Sequence, residues 1–394
     1  MKAPRMPGIH GTLLRLGEGR LETPYGGFVL HHLWSLPARE PLLVLARGRS
    51  EGPEPVLARV HSSCVTSETY GGCDCDCAQQ LDAALAGVAR EGRGLVFYLM
   101  QEGRGAGFAA KARDRMLVQA SRQRLTTFEA YAQMGLSGDH RRYEEVAHAC
   151  ALLGVTASLR LLTNNPEKAA TLERHGVKLA GTEPLAPTAS PFNLHYLESK
   201  SRSGHALDAA PGDVRAAELP EAVEAFEPRP LRDAERFVAL ARYLLPVDAG
   251  LAAPVWLRLH AYLDRGSGRE HVVFTHGDPG RATPLLRLQR ELLLERFPSA
   301  GHAGERARWR ESVRRFAARG AGAALFLPRE DPGSEEPPGD DGLLGLLVRH
   351  AGAGEVDLLQ SSAVPAPAER ALGRLLRARG LRARVACLAS PGAA

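Results

Sequence analysis

The sequence predicts an α/β protein built as two similar halves. Three observations lead there. Apolar runs of strand length, "GLVFYLM" (94–100) and "SLRLLTNNP" (158–166), each lead into a polar cluster, and ligands of α/β folds bind at such strand ends. The preceding "QQLDAALAGVAREGRG" (79–94) has helical spacing, with Leu81, Ala84, Leu85 and Val88 on one face. Finally, related segments recur in the same order in the second half.

The chain has 394 residues, 44% hydrophobic and 24% charged, enough for two domains that each bury a core. It holds no apolar run of eighteen residues, which argues against a membrane-spanning helix. The opening "MKAPRMPGIHGTLLRLGEGR" lacks the apolar stretch of a secretion signal, so a cytoplasmic protein is expected. The net charge of +5 is not read as a nucleic-acid signal. Only five of the 50 basic residues are lysine, and the chain is rich in Ala, Gly and Pro, a mixture typical of GC-rich coding. A solvated basic surface or a small anionic substrate accounts for it.

The densest chemistry lies in "YGGCDCDCAQQL" (70–81), with Cys73, Cys75 and Cys77 at alternate positions and Cys64 thirteen residues before the last. In a reducing compartment such a cluster points to metal or catalysis rather than to disulfides. Thiolates about 2.3 Å from a tetrahedral Zn²⁺ are the usual use. A C-x-C pair can share one ion if the backbone bends; as a straight strand, 73, 75 and 77 would share a face. Four cysteines would close the ion, whereas three would leave a position for water, whose pKa zinc lowers toward about 7. The cluster alone leaves both open. Downstream, Glu102, Gly103 and Arg104 follow one strand, at the end where ligands of α/β folds bind, and Thr163, Asn164, Asn165 and Lys168 follow another, a pattern suited to phosphate.

"ARVHSSC", "CDCAQQLDAAL", "EGRGLVFYLMQEGRGAG", "LTTFEA", "GDHRRYEE" and "LLTNNPEKAATLERHGVKL" occur in this order over about 120 residues. Together they resemble GTP cyclohydrolase II, the first enzyme of riboflavin synthesis, from about Gly19 to Leu207. The resemblance implies a mixed sheet with flanking helices and opening of the imidazole ring of GTP, with formate leaving from C8 and pyrophosphate from the triphosphate. It places the zinc ligands on Cys64, Cys75 and Cys77, with water as the nucleophile at C8, and leaves Cys73 as an extra thiol. It implies that Arg141 attacks the α-phosphate to give a covalent nucleotidyl intermediate, with Asp139 beside it. It also carries nucleotide contacts onto Arg59, Val60, His61, Ser62, Ser63, Gln80, Glu102, Gly103, Arg104, Thr127, Thr163 and Lys168. Mg²⁺ is expected with the triphosphate. A guanidinium is a poor nucleophile while protonated, so a carboxylate that orients it and accepts a proton fits the role.

Two departures stand out. Ser63 replaces the family's glutamate before the first zinc cysteine, and Arg115 replaces a tyrosine that handles protons at the ring. A phenol passes protons at neutral pH; a guanidinium holds negative charge but does not. The catalytic set is therefore Arg141, Asp139 and Arg115. The changed position is compatible with a product that keeps its formyl group, or with another base such as that of a uracil nucleotide. A nucleotide-binding regulator with a structural zinc is the non-enzyme alternative, and Asp139 with Arg141 weighs against it.

The expected domains are a catalytic one over 1–207, a linker rich in Ala, Pro and acid over 208–225, and a degenerate, zinc-less copy over 226–394. "EHVVFTHGDPGRATPLLRLQREL" (270–292) aligns with 40–64, matching Gly277 to Gly48 and Pro284 to Pro55. "VRRFAARGAGAALFLPRED" (313–331) aligns with 85–103, setting Glu330 opposite Glu102, and "VDLLQSS" (356–362) aligns with "LRLLTNN" (159–165). The register slips by about 30 residues between the last two. Cys64 is expected to correspond to Leu293, and Thr163 with its two asparagines to Gln360, Ser361 and Ser362. Family members are homodimers, so the second copy is expected to cover the first copy's dimer face. The chain is then a pseudo-dimeric monomer, or a homodimer.

Overall fold

The computed structural model describes residues 8–136, 140–204, 214–298, 304–327, 341–352, 354–360 and 366–388. Among these, the chain forms two eight-stranded mixed sheets. The first contains β1 (Ile9–His10), β2 (Leu13–Thr23), β3 (Gly26–Ser35), β4 (Glu40–Arg47), β5 (Val56–Ser62), β6 (Gly94–Leu99), β7 (Leu159–Leu162) and β8 (Leu179–Glu183), in the order 1-2-3-4-6-5-7-8. The second contains β9 (Arg229–Leu231), β10 (Ala234–Val247), β11 (Val255–Asp264), β12 (Glu270–Gly277), β13 (Leu285–Arg290), β14 (Ala321–Leu327), β15 (Glu355–Gln360) and β16 (Arg382–Cys387), in the order 9-10-11-12-14-13-15-16. The two orders are the same. So are the directions: an antiparallel meander, then parallel strands on the far side of β6 and β14.

Details repeat as well. The register of β2 on β3 shifts between Arg15 and Gly17, and that of β10 on β11 between Ala239 and Ala241. Gly48 and Gly277 both have φ +65°, and a β-carbon would lie 2.5 Å from the carbonyl of Gly92 at the one and 1.7 Å from that of Gly320 at the other. Gly92 and Gly320 themselves end the helices α2 (Cys77–Glu91) and α8 (Glu305–Arg319) in the left-handed conformation. Composition bias produces neither a shared bulge nor a shared glycine contact.

Helix α2 buries Leu81, Ala84, Leu85 and Val88 against β5 and β6. Each of its larger apolar side chains contributes roughly 2 kcal/mol by leaving water. The remaining helices of the first half are α1 (Val65–Glu68), α3 (Gly107–Ala120), α4 (Thr127–Gln133), α5 (Glu144–Leu152), α6 (Pro166–Arg174) and α7 (Leu194–Arg202). The second half adds α9 (Asp341–Val348) and α10 (Pro367–Ala378). The 59 residues between β6 and β7 shrink to 27 between β14 and β15. That is the predicted slip, and among the described residues the second half has no counterpart of α3 or α4.

Helix α3 explains how the halves join, because it packs on β10 and β11 of the second half. Phe108, Ala112 and Met116 share one core with Tyr243, Leu245, Leu257, Phe274 and Trp309. The Gln119 amide donates to the Leu244 carbonyl (2.7 Å) and accepts from the Leu244 N–H (2.8 Å). Among the described residues, no helix is long and apolar enough to cross a membrane.

Candidate active site

Cys64 caps α1 at the end of β5, and Cys77 opens α2. Between them the backbone bends, so 73–77 is a turn entering a helix rather than a straight strand. The sulfurs of Cys64, Cys75 and Cys77 lie within 4.8 Å of one another, with Cys64 and Cys75 at 3.7 Å. Thiolates on a tetrahedral zinc at 2.3 Å stand about 3.8 Å apart, so this triangle fits the ion. Cys73 stands outside it, with its thiol donating to the Gly71 carbonyl at 3.6 Å, and burial pushes that thiol up to about 12. Hydrogen bonds from Cys75 and Cys77 hold the Cys64 thiol well below its ordinary value, aided by the Lys111 ammonium 3.0 Å away. The Cys64 contact pushes Cys75 up in turn. Lys111 also donates to Glu102 at 2.7 Å, and Glu102 accepts from the Val65 N–H at 2.8 Å.

One cleft, about 970 Å³ counted to its open mouth, joins the three sulfurs to Arg59, His61, Ser62, Ser63, Gln80, Glu102, Gly103, Arg104, Thr127, Thr163 and Lys168. Of the predicted nucleotide contacts only Val60 does not line it. Its side chain faces the core opposite, and its carbonyl accepts from Lys168 Nζ at 3.0 Å. Buried Arg59 donates to the Leu162 carbonyl at 2.7 Å and to Gln80; desolvation lowers its pKa to about 10. Gln80 is held by Asp76 at 2.6 Å, and Asp76 also receives Lys200 at 2.6 Å. Arg104 sits at φ +58° with its guanidinium over the Phe128 ring at 3.6 Å. His61 is tied to Glu68 at 2.7 Å, and Glu68 also accepts from Tyr98. Ser62 Oγ and Thr127 Oγ1 are buried with no hydrogen-bond partner among the described residues, as groups kept for a ligand would be.

Arg141 lines the cleft on a segment without helix or strand before α5. The Gln101 amide pins that segment, donating to the Arg142 carbonyl (2.8 Å) and accepting from its N–H (2.9 Å). Gly105 lets it come close, since a β-carbon there would meet His140 at 2.7 Å. Asp139 lies outside the described residues. Arg115 also faces the cleft, but its Nε is 3.2 Å from Asp74 and its guanidinium lies 4.8 Å over the Tyr196 ring. Beside it, Asp114 is buried with Oδ1 unpartnered among the described residues, and desolvation raises its carboxyl to about 6. Sequence reasoning missed Gln101, Lys111, Asp114, Tyr131, Tyr196 and Lys200 as lining groups. Of these, only Lys111 carried a usable signal, sitting four residues before the anomalous Arg115.

The equivalent place in the second half is filled from within. Strand register sets Arg287 where Arg59 stands, Gln289 where His61 stands and Gln360 where Thr163 stands. It also puts Leu292, not Leu293, opposite Cys64, because Arg290 pairs Leu327 as Ser62 pairs Leu99. Glu305 opens α8 as Cys77 opens α2, and Glu369 is the third residue of α10 as Lys168 is of α6. Fully buried Arg287 is 3.1 Å from Glu305 and 3.9 Å from Glu369. Carboxylates of this chain thus occupy the arginine that a phosphate would need. Glu330, Ser361 and Ser362 lie outside the described residues.

The sequence model of the GTP cyclohydrolase II family matches residues 15–184. GTP cyclohydrolase-2 of Klebsiella pneumoniae (strain 342) is 39% identical over 202 residues, covering 51% of this chain and 99% of that protein. Those of Escherichia fergusonii and of Escherichia coli O9:H4 are each 40% identical, over 196 and 197 residues, covering 50% of this chain and 97% and 98% of theirs. Nearly whole relatives are thus matched by half of this chain, and the chain belongs to the GTP cyclohydrolase II family of hydrolases.

Proposed function

We propose that residues 1–207 open the imidazole ring of GTP at C8 and release pyrophosphate, that 208–225 link, and that 226–394 form a zinc-less, non-catalytic copy. The observation that carries this reading is the convergence of a three-sulfur triangle with the nucleotide contacts in one cation-rich cleft. Arg59, Arg104 and Lys168 meet the phosphates, with Mg²⁺ sharing their charge, and Gln80 meets the nucleotide. Arg141 bonds to the α-phosphorus as pyrophosphate leaves, Asp139 takes the guanidinium proton, and water then cleaves the phosphorus–nitrogen bond, freeing the nucleotide monophosphate and returning the proton to Arg141. Cys64, Cys75 and Cys77 would hold zinc, which when bound supplies a water acidic enough to attack C8 at neutral pH. Lys111 keeps the Cys64 thiolate and Glu102 paired in the buried wall.

Arg115, locked to Asp74, stabilises an oxyanion but does not exchange a proton near pH 7. The leading outcome is therefore a ring-opened product that keeps its formyl group. Asp114 favours a second outcome. A carboxyl pushed up to about 6 in the same cleft can give and recover a proton, and formate would then leave. Incubating the full chain with GTP, zinc and Mg²⁺ and weighing the product decides between them. No turnover of GTP would remove the GTP reading and point to another base. Arg141→Lys keeps the charge but not the planar fork, so it should retain zinc and stop pyrophosphate release; normal release would take Arg141 out of the mechanism.

A further inference from the structure

We propose that the second half serves as a clamp on the metal loop of the first, with Trp309 and the end of β10 as positioning elements for Cys75 and Cys77. The proposal rests on the zinc reading of the three sulfurs. The loop between α1 and α2 carries Cys75 and leads into Cys77. Its outer edge is paired by the other half of the chain. The Cys73 N–H donates to the Pro246 carbonyl at 2.8 Å, and the Asp248 N–H donates to the Gly71 carbonyl at 2.9 Å. Gly72 and Val247 form an antiparallel bridge. The indole N–H of Trp309 donates to the Tyr70 carbonyl at 2.9 Å.

Side chains reinforce the seam. The Tyr70 ring lies edge-on to Phe274 at 5.1 Å and to Phe326 at 4.4 Å, and Trp309 packs on both of those rings. Gly72 permits close approach on two sides, since a β-carbon there would sit 2.7 Å from the Thr66 carbonyl of its own half and 2.8 Å from Leu245 of the other. The clamp ends at Cys73, two residues before Cys75. A loop of turns would otherwise sample many backbone states, and each state that misplaces a sulfur weakens the ion's hold. Outer contacts that fix ligand orientation commonly change metal affinity severalfold or more. The second half also keeps Trp309 and Tyr243 fully buried in the shared core although its own cleft is filled by Arg287, Glu305 and Glu369.

The test uses the full, zinc-loaded chain and follows zinc release to a chromophoric chelator, with hydrogen exchange read by peptide mass spectrometry. Trp309→Phe keeps an aromatic ring and removes the donor to Tyr70. Release should quicken about 3- to 10-fold, the loss of one well-placed hydrogen bond. Exchange should rise in the peptide containing 70–76 while that of β6 stays as in the parent. Asp248→Pro, which acts from the second half by removing the N–H donated to the Gly71 carbonyl, should act likewise and serves if Trp309→Phe does not fold. His350→Ala, whose ring lies against His260 in the same half, should leave release unchanged. Release within twofold of the parent and unaltered 70–76 exchange in the folded variant would overturn the clamp. So would faster exchange spread evenly through both halves. A parent chain that binds no zinc would instead fail the metal reading on which the clamp rests.

Discussion

Replacing Asp114 by Asn tests the electrostatics of the cleft. Asp114 is 2% exposed, its Oδ1 has no hydrogen-bond partner among the described residues, and burial outweighs the pull of Arg115, Arg104 and Lys111. Its carboxyl rises from 3.8 to about 6. The folded state then holds the proton more tightly than the unfolded state, so the contribution of this group to stability is fully present below about pH 4 and is lost as pH rises through about 6. The loss amounts to about 3 kcal/mol at pH 7. Asn is close in shape and carries no charge, so the variant escapes this loss. Urea melts of both proteins, with chelator and reductant present so that metal release contributes equally, should show Asp114→Asn more stable by about 3 kcal/mol at pH 7–8. The two should converge below pH 4. A difference that stays constant with pH, or a variant less stable at pH 7, would refute the reasoning. The same variant reads on chemistry: if Asp114 moves the proton for formate release, ring opening should persist while formate falls.

Cys73→Ser should leave zinc content nearly unchanged, whereas Cys64→Ser should abolish it; metal analysis that finds both depleted would indicate a closed four-thiolate site. Gly277→Ala forces a left-handed φ on a residue with a β-carbon and drives that carbon into the Gly320 carbonyl, so denaturant unfolding should show a loss of roughly 3 kcal/mol or more. Truncation after Leu207 bares Phe108, Ala112 and Met116 of the shared core. The fragment should dimerise or aggregate on size exclusion; a soluble monomer with full activity would contradict a structural role for the second half.

Much of the architecture was legible in the sequence because it is locally encoded. The spacing of Leu81, Ala84, Leu85 and Val88 specifies a buried helix face, the runs at 94 and 158 specify buried strands, and the ordered recurrence of segments anticipates two sheets of one topology. The cysteine spacing likewise announced a metal-type cluster. What local pattern does not encode is which distant groups meet. Lys111 beside Cys64, Asp74 against Arg115, and Tyr196 and Lys200 on the cleft wall come together only through the packing of α3 and α7 around the loop. Cys73 reads like its neighbours in sequence, yet a bend at the seam with β10 turns its thiol away from the triangle. Leu292 rather than Leu293 stands opposite Cys64 because pairing register, not residue likeness, sets the correspondence. Periodicity records how deeply each residue is buried, which is a property of its own element. The partner of a buried charge or thiol is chosen by strand order and the close packing of separate elements, and only the tertiary structure decides that.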